Sequence, residues 1–151
     1  MSTNQTQPQK IVLHPRIYAA DSKEIKQAFE HAGVTGVREL DPRYRVLPKD
    51  EMLQCIRAAH TASEKYVADW HDCDKFAREL WARVPRLSQC NSIAIVLNYA
   101  GGHAFNAVLV TAGSDNPYVE LLIVEPQNDG VVKLNSTAPY TLVDGQYEIF
   151  F

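Results

Sequence analysis

A change of hydrophobic period near Pro85 constrains this chain more than any other feature. Ahead of it, apolar residues recur at spacings of three and four, the stripe of a helix that buries one face. Behind it, apolar runs of strand length are separated by turn formers, as in a meander. Helices first and strands afterwards predict an α+β fold, with N-terminal helices packed on an antiparallel sheet.

The helical half carries its own punctuation. Asp21-Ser22-Lys23-Glu24 has the form of a capping box, and Ile25, Ala28, Phe29 and Ala32 follow on one face until Gly33 and Gly36. Tyr44 to Leu47 reads as a short extended segment closed by Pro48. A second helix is expected over residues 49–66, burying Met52, Leu53, Cys55, Ile56 and Ala59. A third starts at Cys73 with Asp72 as N-cap, lines up Phe76, Ala77, Leu80, Trp81 and Val84, and stops by Pro85. Strands are expected over residues 92–99, 103–110 and 118–125, with shorter ones at 131–134 and 146–151.

Residues 1–10 are polar and rich in Gln, Thr and Pro, and are expected to form a disordered tail. The remainder, residues 11–151, is expected to be one domain, because a chain of 151 residues with 46% hydrophobic content can bury a core of its own. The net charge of −3 gives no basic surface for nucleic acid or membrane, so neither partner is expected. No apolar run approaches a membrane span, and no basic-then-apolar leader opens the sequence. Three cysteines, Cys55, Cys73 and Cys90, without a CxxC pair suit neither a disulfide framework nor a zinc site. A reducing, cytoplasmic compartment fits them better.

Cys73 is the residue with the most chemical promise. In the first turn of a helix the dipole's positive end lowers a thiol pKa and favours the nucleophilic thiolate. The strand half supplies partners for it. If residues 113–117 close a simple hairpin centred on Ser114, Val110 pairs with Tyr118 and His103 with Glu125. His103 could then take and return a proton while Glu125 holds the imidazole in one tautomer. The argument depends on register, because a one-residue slip sends the two to opposite faces. Taken singly, each residue has a structural explanation: a small buried thiol, a polar residue beside a Gly-Gly turn, a strand-end carboxylate. The order Cys, His, acid on helix start, strand start and strand end favours a functional set.

Three segments carry a family resemblance: Asp72-Cys73-Asp74-Lys75-Phe76-Ala77, Gly102-His103-Ala104-Phe105-Asn106-Ala107-Val108 and Ile123-Val124-Glu125-Pro126-Gln127. Together they resemble the core motifs of the papain-like and transglutaminase-like cysteine enzymes, nearest to the papain-like C-terminal domain of fungal agglutinins and related small bacterial and phage proteins. The resemblance implies a papain-like α+β core, with Cys73 as nucleophile, His103 as base and Glu125 as orienting acid. It implies cysteine-dependent acyl chemistry on a peptide or protein substrate, as a peptidase or a transglutaminase-like hydrolase or acyltransferase. The alternative is a non-catalytic papain-like binding module of bacterial or phage origin that sequesters a partner or ligand. Where family members carry an oxyanion Gln, this chain has Val67, which leaves Trp70, Tyr66 or Gln127 as substitutes. No cofactor and no metal ligand set is assigned. The resemblance also raises a divalent cation such as calcium, for which His71, Asp72, Asp74, Glu125 and Asp129 are the candidate cluster.

Overall fold

The structure, a computed structural model, describes residues 18–113 and 116–151. The expected tail over residues 1–10 and the expected hairpin centre at Ser114 lie outside the described residues.

The capping box forms as written. Helix α1 spans Ser22–His31; the Asp21 carboxylate accepts from the Glu24 N–H, and the Glu24 carboxylate accepts from the Asp21 N–H. Gly33 and Gly36 follow in the left-handed region, at φ +77° and +72°. Strand β1, Tyr18–Asp21, precedes α1, and β2, Val37–Arg38, follows it. Neither was expected, since four and two residues are too few to show a period. Strand β3, Arg43–Pro48, leads directly into α2, Lys49–Ala59, which buries Met52, Cys55, Ile56 and Ala59.

Two helix ends depart from expectation. Helix α2 stops at Ala59, not near Tyr66, because His60 turns into the left-handed region at φ +60° and a single 3-10 turn, Thr61–Ser63, follows. Helix α3, Cys73–Ser88, runs through Pro85 instead of stopping there and ends at left-handed Gln89. Pro85 removes only its own amide donor; Val84 before it is buried, Leu87 after it packs against the same cluster, and the Ser88 hydroxyl donates to the Val84 carbonyl at 2.8 Å, which holds the last turn in place.

The sheet has β5, His103–Gly113, at its centre. Along one edge β5 pairs antiparallel with β4, Ile93–Asn98, and then, further on, parallel with β3 at Leu47↔Val110 and Pro48↔Thr111. Along the other edge it pairs with β6, Asn116–Glu125, which pairs with β7, Gly130–Val132. Strand β8, Tyr147–Phe150, pairs antiparallel with β4 and parallel with β2. The sheet is therefore mixed, where an antiparallel one was expected.

Strand alternation sorts β5 into two faces. Val108 and Val110 pack with Leu80 and Val84 of α3 and with α2. Phe105, Ala107 and Leu109 pack on the other face with Ile25, Ala28 and Phe29 of α1. Asn106, on the α3 face, donates from Nδ2 to the Ala77 carbonyl of α3 at 2.9 Å and to the Ala94 carbonyl of β4 at 3.0 Å. Burying apolar area at roughly 25 cal/mol per Å² on both faces of one strand makes β5 the element on which both layers depend.

Candidate functional site

His103 opens β5, and its odd position places it on the α1 face with Phe105. The β5–β6 register is Val110↔Glu120 and Asn106↔Val124, two residues away from the expected pairing of Val110 with Tyr118. The ladder shifts between Thr111 and Gly113, a bulge that a simple hairpin count cannot anticipate. Because the side-chain period is two, an offset of two preserves the face. Glu125 falls opposite Phe105 by the same register and reaches diagonally to His103. The His103 Nε2–H donates to Glu125 Oε2 at 2.6 Å.

Two further donors meet the same carboxylate. The Tyr140 hydroxyl donates to Oε2 at 2.8 Å, and the Gln127 N–H donates to Oε1 at 3.1 Å. Glu125 is only 5% exposed. Burial pushes its carboxyl up, but the hydrogen bonds from His103, Tyr140 and Gln127 outweigh burial and hold it below the usual 4.5. Burial, and then the bond to Glu125, pushes the Tyr140 phenol up to about 12, so it stays a donor. With Nε2–H committed to a carboxylate, Nδ1 is the ring nitrogen left to face a ligand.

Tyr140 carries no signal of its own in the sequence. It ends a 3-10 turn, Ala138–Tyr140, and is placed by Asn98 at the end of β4. Asn98 is 1% exposed, donates from Nδ2 to the Pro139 and Thr141 carbonyls at 2.9 and 3.1 Å, and accepts from the Gly101 N–H at 3.3 Å. The Gly-Gly pair has two separate reasons. A Cβ on Gly101 would come within 2.6 Å of Asn98 Nδ2 and 3.0 Å of the Ala138 carbonyl oxygen, while Gly102 sits at φ +58°. The Tyr140 ring meets those of His103 and Phe105 edge-on, at 5.7 and 5.3 Å. The result is a pocket of about 450 Å³ lined by His103, Glu125, Tyr140, Gln127, Asn128 and the Gly101-Gly102 turn.

Cys73 is not part of this network. It starts α3 and is half-buried, but α3 packs on the Asn106 face of β5, opposite to the face of His103. Among the described residues no hydrogen bond or ion pair joins Cys73 to His103 or Glu125. The expected side-chain cap is also missing: the Asp72 carboxylate turns to Lys75 Nζ at 3.2 Å, and only its carbonyl engages the first turn, accepting from the Lys75 and Phe76 N–H groups. Of the substitutes for the oxyanion Gln, Gln127 lines the pocket, whereas Tyr66 and Trp70 are 52% and 79% exposed on the loop before α3. His71, Asp72, Asp74, Glu125 and Asp129 do not gather: among the described residues no group of three His, Cys, Asp or Glu side chains is placed to hold a metal ion.

No family model matches the chain, and no curated protein matches it. Solved structures do. The Polyporus squamosus lectin, in a structure bound to a human-type influenza-binding epitope, Neu5Aca2-6Galb1-4GlcNAc, is 16% identical, with a TM-score of 0.66. That match covers 88% of this chain and 49% of the lectin chain. A second, titled the PSL1a–E64 complex, is 17% identical at a TM-score of 0.61, covering 88% of this chain and 50% of that one. The chain thus spans about half the length of these proteins, and at such identities the likeness shows the fold alone. It corrects the resemblance drawn from the three motifs. The first neighbour is named as a lectin, neither is named as a papain-like or transglutaminase-like enzyme, and the cysteine-protease reading with its catalytic triad and peptide substrate is set aside.

Proposed function

We propose that this chain is a non-catalytic binding module and that it takes a carbohydrate in the pocket at His103, Glu125 and Tyr140. The observation that carries the reading is the arrangement of that pocket. Its carboxylate is spent on internal donors, its imidazole is held in one orientation, and among the described residues no thiol is bonded to either. Such a set positions hydrogen-bonding groups for recognition. The Gln127 and Asn128 side chains offer amide donors and acceptors, which suit sugar hydroxyls, and the Tyr140 and His103 rings offer apolar faces for sugar C–H groups. The lectin fold likeness supports the same class of ligand.

The test is a titration of the whole chain with Galβ1-4GlcNAc and with Neu5Acα2-6Galβ1-4GlcNAc, followed by NMR. Saturable shifts of the His103 ring protons are expected in the wild type, with their loss in Tyr140→Phe and, by calorimetry, loss of binding in His103→Ala, the fold staying intact in both. An absence of binding across a broad glycan array would overturn the reading.

A further inference from the structure

Two exposed aromatic side chains lie together in sequence just before α3. Every residue from Ser63 to Trp70 is exposed, and Tyr66, Val67 and Trp70 turn apolar side chains to water. Isolated exposed apolar residues need no explanation, but three on one short loop do. The loop's backbone is fastened. Val67 and His71 form a bridge, with the His71 N–H donating to the Val67 carbonyl at 2.6 Å and the Val67 N–H to the His71 carbonyl at 2.8 Å. The Trp70 N–H donates to the Val67 carbonyl at 3.1 Å, and Asp69 takes the left-handed conformation at φ +63°.

Both ends of the loop are pinned to the body of the protein. Arg83 of α3 donates to the Ala59 carbonyl at 3.0 Å, to Glu64 at 3.1 Å and to Glu79 at 2.8 Å. The His71 ring packs edge-on against Phe76 at 4.5 Å, and Phe76 is 2% exposed. At the root, the buried Thr61 hydroxyl donates to the Pro126 carbonyl at 3.3 Å. Pro126 lies between Glu125 and Gln127, so the loop springs from the rim of the pocket described above. A pinned loop that exposes a tryptophan has already met the ordering cost that a mobile one meets on binding.

Charge selects the occupant. Asp72 and Asp74 are matched by Lys75 at 3.2 and 3.4 Å, Asp74 also by Arg78 at 3.2 Å, and Glu64 and Glu79 by Arg83. Four carboxylates thus face three basic side chains, and Lys65 and Asp69 on the loop itself offset each other, so the aromatics are ringed by a single excess negative charge, which repels an anionic surface and is too small to select a basic peptide. A neutral ring with one apolar face and polar edges suits two exposed aromatic side chains better.

Resting on the carbohydrate reading, we propose that Tyr66 and Trp70 form a second subsite, a stacking platform for a neutral sugar ring, that extends the His103 pocket into a binding surface for an oligosaccharide. The platform stacks the C–H face of the ring, and the pocket supplies the polar contacts.

The experiment is ¹H–¹⁵N NMR of the intact chain titrated with Galβ1-4GlcNAc and with neutral tri- and tetrasaccharides, the two indole N–H signals being assigned with Trp70→Phe. Trp70 is exposed, so its replacement leaves the fold intact. The sugars are expected to move the Trp70 indole and the His103 ring in one titration, and Trp70→Ala to weaken binding by about tenfold. Tyr66→Ala should weaken it by a smaller factor. If His103 responds and Trp70→Ala binds as the wild type does, the platform is wrong and the pocket stands. A response at Trp70 alone would remove the pocket and keep the platform. A Trp70 indole that moves with a lysine-rich peptide and not with any sugar overturns the platform, as does one that moves with neither.

Discussion

The two ends of the expected triad sit in unlike surroundings. At the Glu125 end, a carboxylate 5% exposed meets three donors from three separate segments, one of them a tyrosine on a distant turn. At the Cys73 end, a half-buried thiol begins a helix with no hydrogen bond among the described residues, and the preceding carboxylate, Asp72, is turned to Lys75. The difference teaches that residue types in the right chain order do not by themselves join into one hydrogen-bonded set. His103 and Glu125 share a face through the register of β5 and β6, whereas α3 packs on the other face of β5.

The sharpest way to break this comparison is to remove Glu125. Glu125→Ala leaves the His103 Nε2–H, the Tyr140 hydroxyl and the Gln127 N–H without their shared acceptor in a site of low exposure. Removing one partner of such a buried set costs about 3 kcal/mol or more. Urea unfolding should show a lower midpoint at unchanged slope, and sugar binding should be lost. A loss below 1 kcal/mol would mean that water replaces the carboxylate and that the network is not what holds the pocket. Next in size is Gly101→Ala. Its Cβ would press on Asn98 and the Ala138 carbonyl, which carry the turn that places Tyr140. Overpacking of this kind costs about 1–3 kcal/mol, and binding should weaken alongside.

The legible parts of the molecule are those in which local chemistry and tertiary fate agree. Asp21 and Glu24 announce α1 because the two side chains satisfy each other's backbone, whatever else packs nearby. The buried faces of α2 and α3 follow from spacing alone. The end of α2 was not legible because His60 adopts the left-handed conformation with no glycine to mark it. The continuation of α3 through Pro85 was not legible because burial of its flanking residues overrides a local penalty. His103 and Glu125 meet although the simple hairpin register is two residues off, because a shift of two keeps both on one face. Tyr140 and Asn98 were beyond reach in their roles, since Tyr140 lies on a turn with no period and acts through contacts of long range. The family assignment failed because its motifs are short, and the geometry that a thiol enzyme needs is not written in any one of them.

A change of pH tests the same comparison more gently. The Glu125 carboxyl is held below 4.5 in the folded protein. Its contribution to stability is therefore present above the ordinary carboxyl value and lost as pH falls through the depressed folded value. Glu125→Gln keeps the shape and removes the titration. Wild-type stability should fall more steeply than that of the variant on the acid side of 4.5, and the two slopes should agree near neutrality. On the basic side, the Tyr140 phenol is raised from 10.0 to about 12, so its contribution should be lost as pH rises across that interval, and Tyr140→Phe should flatten that limb.

The smallest effect is expected at Cys73, and it is the one that separates binding module from enzyme. The thiol is half-buried and bonded to nothing among the described residues, so Cys73→Ala should change stability by about 0.5 kcal/mol or less and leave sugar binding intact. Alkylation adds a second readout. Cys55 and Cys90 are both fully buried, and burial raises both thiols, that of Cys55 to about 11, so neither should react in the folded state. Cys73 should therefore be labelled first simply because it is the accessible one. Speed of labelling alone cannot distinguish exposure from activation, but a partner-dependent rate can. If Cys73 stands apart from the pocket, His103→Ala and Glu125→Gln should leave both its rate and its pH midpoint unchanged. A rise of the midpoint in either variant would place thiol, imidazole and carboxylate in one electrostatic unit, and the separation of the two sheet faces on which the binding-module reading leans would fall with it.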